Sequence, residues 1–193
     1  MDLVRLATDR NMSGRPNMNQ DIPVLEHFNL DGKRALVIGS EFPAGGEIAK
    51  TYAVAGADVA LCSITPDQAV MESRKIKREI DALGRNSFEY VMDVTLGKNV
   101  QVTMRQATKD LGGLDCVAIA PDLFLAKPIE SVTETELARV MAGNFNAHFF
   151  AMRSAAAEFR RQGVPGRIVS VTSVLGERGL PNTSAYSAAH SAV

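Results

Sequence analysis

GRIVSVTSVLGERGLPNTSAYSAAH, residues 166–190, is the stretch that decides the fold. Its opening residues, Arg167–Val171, carry the β-branched apolar Ile168, Val169 and Val171 and read as a buried strand. A turn rich in Ser and Thr follows, then a loop punctuated by Gly176, Gly179 and Pro181, then the start of a helix that carries Tyr186. Ser173 and Tyr186 stand thirteen residues apart, and His190 follows Tyr186 by one helical turn.

Working outward, the same alternation of strand and helix fills the chain. Ala35–Ile38 reads as the first strand and about Pro43 to Ala55 as the first helix, closed by Gly56. Asp58–Cys62 is the second strand. Thr65-Pro-Asp-Gln68 has the form of a capping box with proline at the first helical position, and Ile76, Ile80 and Leu83 mark the buried stripe of the helix it opens. Phe88–Met92 is the third strand, and a helix from about Lys98 to Leu111 follows it. Cys116–Ala120 is a continuous apolar run, as a parallel strand covered on both faces requires. Thr133-Glu-Thr-Glu136 is a second capping box, opening a helical region to Arg161 with a break near Gly143. Strands separated by helices imply an α/β fold, a doubly wound parallel sheet with right-handed crossovers and the first strand between the second and fourth.

Composition narrows the function classes. A chain of 193 residues, 46% apolar, can bury one sizeable core. Residues 1–28 are polar and aperiodic and read as a flexible leader before a single domain over 29–193. A net charge of −1 leaves no electrostatic footprint for nucleic acid or an acidic membrane surface. No apolar run approaches the ~18 residues of a membrane span, and the leader has no apolar core of a secretory signal. Two cysteines point to a reducing compartment, read as the cytoplasm. Both are read as small residues in buried strands, about two strand spacings or ~10 Å apart and too distant to pair. No His/Cys/Asp/Glu spacing suggests a metal site. The charge run from Arg74 to Glu79 reads as the solvated face of its helix, and His27 and His148 receive no role.

The Ser173–Tyr186 spacing, the strand before it and the order of elements resemble the short-chain dehydrogenase/reductase family, from about Leu30 to Val193. In that family a serine follows the fifth strand and a Tyr-x-x-x-Lys helix follows the serine. The resemblance makes Tyr186 the general acid/base and Ser173 the holder of the substrate carbonyl oxygen. It makes Asn144, in a helix kink, the residue that holds a water for proton relay. His190 stands where the family has the lysine that binds the nicotinamide ribose and lowers the tyrosine pKa. A histidine with an ordinary pKa of about 6.5 is mostly neutral at pH 7, so it supplies that charge poorly.

The same resemblance assigns the cofactor, NAD or NADP, to the Gly-rich turn after the first strand. Gly39 and Gly45 match the family pattern Thr-Gly-x-x-x-Gly-x-Gly, Ser40 and Glu41 lie between them, Ile38 replaces the threonine and Pro43 the middle glycine. Proline removes an N–H donor, and Glu41 places negative charge beside a pyrophosphate or else accepts from a ribose hydroxyl. A Gly-rich strand–helix turn without a ligand is an equal reading of these residues alone. Ser63 and Ile64 occupy the end of the second strand, where an acid selects NAD and an arginine NADP, so neither preference is written there. Asp93-Val94 matches the adenine contact, or a plain strand-end turn. Ile119-Ala120-Pro121-Asp122 replaces the family's Asn-Asn-Ala-Gly, with Ala120 beside the cofactor.

Two functions remain open. One is an NAD(P)-dependent oxidoreductase acting on a small carbonyl or alcohol substrate with a weakened cofactor site. The other is a non-catalytic family member that serves as a structural partner in a heteromer. The resemblance implies a homo-oligomer or heteromer, paired through the helices near Asn144 and Tyr186. It also gives five of seven strands, so the chain reads as a fragment lacking two further strands and the substrate lid.

Overall fold

The computed structural model describes residues 28–65 and 69–193. The leader through residue 27 and the capping-box residues 66–68 lie outside the described residues. Five parallel strands, β1 (Arg34–Ile38), β2 (Asp58–Ser63), β3 (Ser87–Val91), β4 (Cys116–Ile119) and β5 (Arg167–Ser170), form one sheet in the order β3-β2-β1-β4-β5. Helices α1 (Pro43–Val54), α2 (Ala69–Ala82), α3 (Gly97–Asp110), α4 (Glu134–Met141), α5 (Ala147–Gln162) and α6 (Ser184–Ser191) connect and flank them. The fold is the doubly wound α/β sheet that the alternation implies.

Side chains alternate across the sheet and divide the core in two. Leu36, Ile38 and Cys62 join Val100 and Met104 of α3 and Ala147, Ala151 and Ala155 of α5. Ala35, Val37, Val59 and Leu61 face Ala49 and Ala53 of α1 and Ile76 and Ile80 of α2. Each fully buried Leu or Ile contributes roughly 1.5–3 kcal/mol, and β1 buries every residue after Arg34. The alanine stripe of α5 lets that helix lie close to the sheet edge that carries the site. Cys62 packs with the first cluster and Cys116 against the second, on opposite faces, so strand spacing and facing both keep the thiols unpaired.

Three expectations need correction. β5 is not a buried strand: it has β4 on one side only, and Ile168 and Val169 are 38% and 47% exposed. Leu83 is exposed, because α2 ends at Ala82 and the last turn has passed the sheet. Cys116, at the open lower end of β4, is only half-buried. The break near Gly143 is a π-helical turn, Ala142–Asn146, between α4 and α5. The capping box at α4 forms as written: Thr133 Oγ1 accepts from Glu136 N–H, and Thr133 N–H donates to Glu136 Oε2 at 2.9 Å. That backbone donor first, with Lys127 beside it, pulls the Glu136 carboxyl down to about 2.

Candidate active site

The upper ends of β4 and β5 and the face of α6 enclose a cavity of about 230 Å3. Ala120, Pro121 and Asp122 leave β4 on one wall, and Val171, Thr172 and Ser173 leave β5 on another. Tyr186 and His190 come from α6, and Ala44 from the first turn of α1. The apolar face of α6 packs on α4 through Ala185, Tyr186, Ala189 and Val140, which fixes the tyrosine. Ser173 Oγ accepts from Leu175 N–H at 3.2 Å and caps the 3₁₀ turn Val174–Gly176.

Tyr186 is 5% exposed, and its hydroxyl donates to Asp122 Oδ1 at 2.6 Å. Burial raises the phenol pKa, the Asp122 bond and charge raise it further, and the Ser173 hydroxyl opposes them. The shift runs opposite to the one a lysine produces. His190 stacks on the tyrosine with centroids 4.4 Å apart. Its Nδ1 accepts from Ser173 N–H at 3.3 Å, which places the ring proton on Nε2. Nε2 is buried with no hydrogen-bond partner among the described residues. Burial lowers the His190 pKa despite the nearby Asp122, so the ring is neutral at pH 7 and, among the described residues, no fixed cation lines the cavity beside Tyr186.

Asn144 sits one layer deeper, in the π-helical turn, and is fully buried. Its Oδ1 accepts from Leu123 N–H at 2.9 Å and its Nδ2 donates to Leu123 O at 3.0 Å, tying the loop after β4 to the kink. Its carbonyl meets His148 Nδ1 at 2.5 Å, while His148 Nε2 lies 3.2 Å from Val171 O. A neutral imidazole donates to only one of these carbonyls. Burial holds the His148 pKa below its ordinary value, the carbonyls opposing. Asn144 thus positions both loops from beneath the cavity rather than lining it.

Two residues in this arrangement escaped the sequence reading. Asp122 was quoted only as part of a lost motif; the signal was a carboxylate at a strand end among small residues. His148 carried a signal in its i+4 spacing from Asn144, with no role attached.

The cofactor-loop residues divide differently. Gly39 has φ +81°, and a Cβ there would meet Ala120 O at 2.7 Å; a Cβ on Gly45 would strike Gly39 O. Both glycines are therefore required by the turn itself. Pro43 stands at the start of α1, whose N-terminus has no side-chain cap. Ser40 is buried, and its hydroxyl and that of Ser63 both bond Ser73 Oγ, at 2.9 and 2.7 Å. Glu41 bridges to the backbone of Ile64 and Thr65 at the end of β2. The side chains of Ile64 and Val94 lie in the core. Asp93 accepts from Thr95 N–H and hydroxyl at 2.9 and 2.6 Å and from Asn99, and the Thr95 hydroxyl is the first cause of its lowered pKa. Ala120 alone of the nine lines the same cavity as Tyr186. Among the described residues, no three His, Cys, Asp or Glu side chains are grouped to hold a metal ion, and no helix is long and apolar enough to cross a membrane.

A family model described as short chain dehydrogenase matches residues 33–193. L-2,3-butanediol dehydrogenase of Corynebacterium glutamicum is 30% identical over 161 residues, covering 83% of this chain and 62% of that enzyme. The crystal structure of a short-chain type dehydrogenase/reductase from Mycobacterium marinum superposes with a TM-score of 0.80 at 28% identity, over 89% of this chain and 68% of that one. A short chain dehydrogenase from Burkholderia cenocepacia J2315 in complex with NADP gives 0.77 at 29%, over 85% and 65%. The chain spans about 62% of the length of the curated relatives it matches.

Proposed function

This chain belongs to the short-chain dehydrogenase/reductase family, and on that premise we propose that it is an NAD(P)-dependent oxidoreductase interconverting a carbonyl and an alcohol. The observation that carries this reading is the meeting of Ser173, Tyr186 and His190 around one cavity, with Ala44 of α1 on its wall. The uncapped start of α1 suits a pyrophosphate, since its first N–H groups are free of side-chain caps and the helix dipole favours an anion. Pro43 removes one donor and Ser40 is turned away, so binding is expected to be weak. When bound, the nicotinamide supplies or takes up hydride.

The remaining steps belong to the protein. Ser173 orients the substrate oxygen, and Tyr186 gives its proton to that oxygen once the hydroxyl turns from Asp122. Because its pKa is raised, the phenol stays protonated near neutrality and serves as the acid of carbonyl reduction. Asp122 fixes the hydroxyl and at the same time makes a phenolate costly beside it. His190 keeps the Ser173 backbone in place and offers Nε2–H as a donor. Asn144 anchors the loop after β4.

A second reading, a non-catalytic partner in a heteromer, is favoured by the same Asp122–Tyr186 bond and the absence of a fixed cation beside it. Exposed Phe149 of α5, the helix that follows Asn144, supports pairing through that helix. Titration with NADH and NADPH, followed by a carbonyl-reduction assay with Tyr186→Phe as control, separates the readings. Nucleotide binding with turnover lost in Tyr186→Phe supports the enzyme, and binding of neither nucleotide supports the partner.

A further inference from the structure

Glu41 leaves the turn after β1 and reaches across to the end of β2. Its Oε1 accepts from Ile64 N–H at 2.7 Å, from Thr65 N–H at 3.1 Å and from the Thr65 hydroxyl at 3.2 Å. Its Oε2 is buried and has no hydrogen-bond partner among the described residues. Three donors at the end of β2 are thereby spent on an internal anion, and the Ser40 and Ser63 hydroxyls are spent on Ser73. The cleft beside Glu41, between α1 and α2, sets Glu41, Glu47, Glu72 and Glu79 against Lys50 and Lys75. Lys50 is already paired with Glu47 at 2.5 Å and with Glu79 at 3.7 Å.

We propose that Glu41 selects the dinucleotide, admitting an adenosine ribose with a free 2′-hydroxyl and rejecting one that carries a 2′-phosphate. The inference rests on the dinucleotide reading above. A phosphate monoester brings about two negative charges and needs N–H donors or cations. Here the donors it would use are taken by a carboxylate of the same sign, in a cleft where acids outnumber lysines. A ribose hydroxyl carries no charge, so this carboxylate does not repel it, and the hydroxyl can donate where a phosphate cannot. The discrimination is mainly repulsive, built against the wrong ligand. Ser63 and Ile64, at the strand end, contribute no charge to it.

Calorimetric titration of the whole chain with NADH and NADPH, and with 5′-AMP and 2′,5′-ADP as probes of the adenosine end, tests this. NADH and 5′-AMP are expected to bind at least about tenfold more tightly than their 2′-phosphorylated counterparts. Glu41→Gln keeps an acceptor for the Ile64 and Thr65 donors and removes the charge, so it should narrow the gap several-fold while the melting temperature changes little. Equal or tighter binding of the 2′-phosphorylated ligands, or an unchanged ratio in Glu41→Gln, overturns the assignment of Glu41 and leaves the oxidoreductase reading standing. Binding of none of the four overturns both.

Discussion

At the upper edge of the sheet two carboxylates hold two different kinds of partner. Asp122 accepts from the Tyr186 hydroxyl, a group whose proton has to move, and Glu41 accepts from the backbone of Ile64 and Thr65, whose protons never do. The same chemistry therefore has opposite consequences. Around Asp122 burial first and then the bond raise the phenol pKa and hold the hydroxyl neutral. Around Glu41 the bonds staple one loop to another and hold the carboxyl ionised against the burial that raises its pKa. On the proposed function, acidity at the first end governs rate and acidity at the second governs which ligand enters.

Breaking the first end should have the largest effect. Tyr186→Phe removes the phenolic hydroxyl from the cavity it shares with Ser173 and should lower carbonyl-reductase turnover by roughly 10²–10⁴-fold, the range of general acid catalysis. Steady-state kinetics at saturating NADH check it, and turnover within a factor of a few of the parent would place the acid elsewhere. His190→Lys supplies the missing cation and should raise turnover on the order of tenfold or more, since each 1.4 kcal/mol off the barrier is tenfold. Combining it with Tyr186→Phe should erase the gain.

The second end breaks as stability rather than rate. Glu41→Ala strands two N–H donors at the end of β2 and should cost about 1–3 kcal/mol in urea unfolding. Asp122→Asn, by contrast, should change stability little and move the Tyr186 phenol pKa downward, read by 13C NMR of labelled tyrosine. An upward or absent movement would mean that burial alone sets the phenol. Acid should loosen the layer beneath the cavity. His148 and His190 are buried with folded pKa values below the unfolded one, so the unfolded chain binds more protons as pH falls through that range. Their contribution is present above the unfolded histidine pKa and is lost below it. Urea midpoints compared at pH 7 and pH 5 test this, with His148→Gln expected to flatten the difference.

Much of the fold was legible because strands covered on both faces are written as apolar runs. The runs at Ala35–Ile38 and Cys116–Ala120 allow no other placement. Arg167–Val171 has the same β-branched composition, yet its outer side is open, because exposure depends on what lies beside a strand rather than on its own residues. Leu83 fits the i+3 spacing from Ile80 but falls after the helix has cleared the sheet. The meeting of Ser173, Tyr186 and His190 around one cavity was legible through spacing along one short stretch. Asp122 was not, since its partner lies 64 residues away and only the fold brings them together. Glu41 was read as charge beside a pyrophosphate or as an acceptor from a ribose hydroxyl; that it turns toward β2 follows from donors at Ile64 and Thr65 that no local pattern announces.

The most direct test of a dinucleotide lying across both ends is hydrogen–deuterium exchange of the chain with and without NADH. Slowed exchange in the turn and first helical turn at residues 39–45, together with residues 171–176 and the start of α6, is the result this account requires. No change at millimolar NADH, or protection confined to α4 and α5, would contradict it.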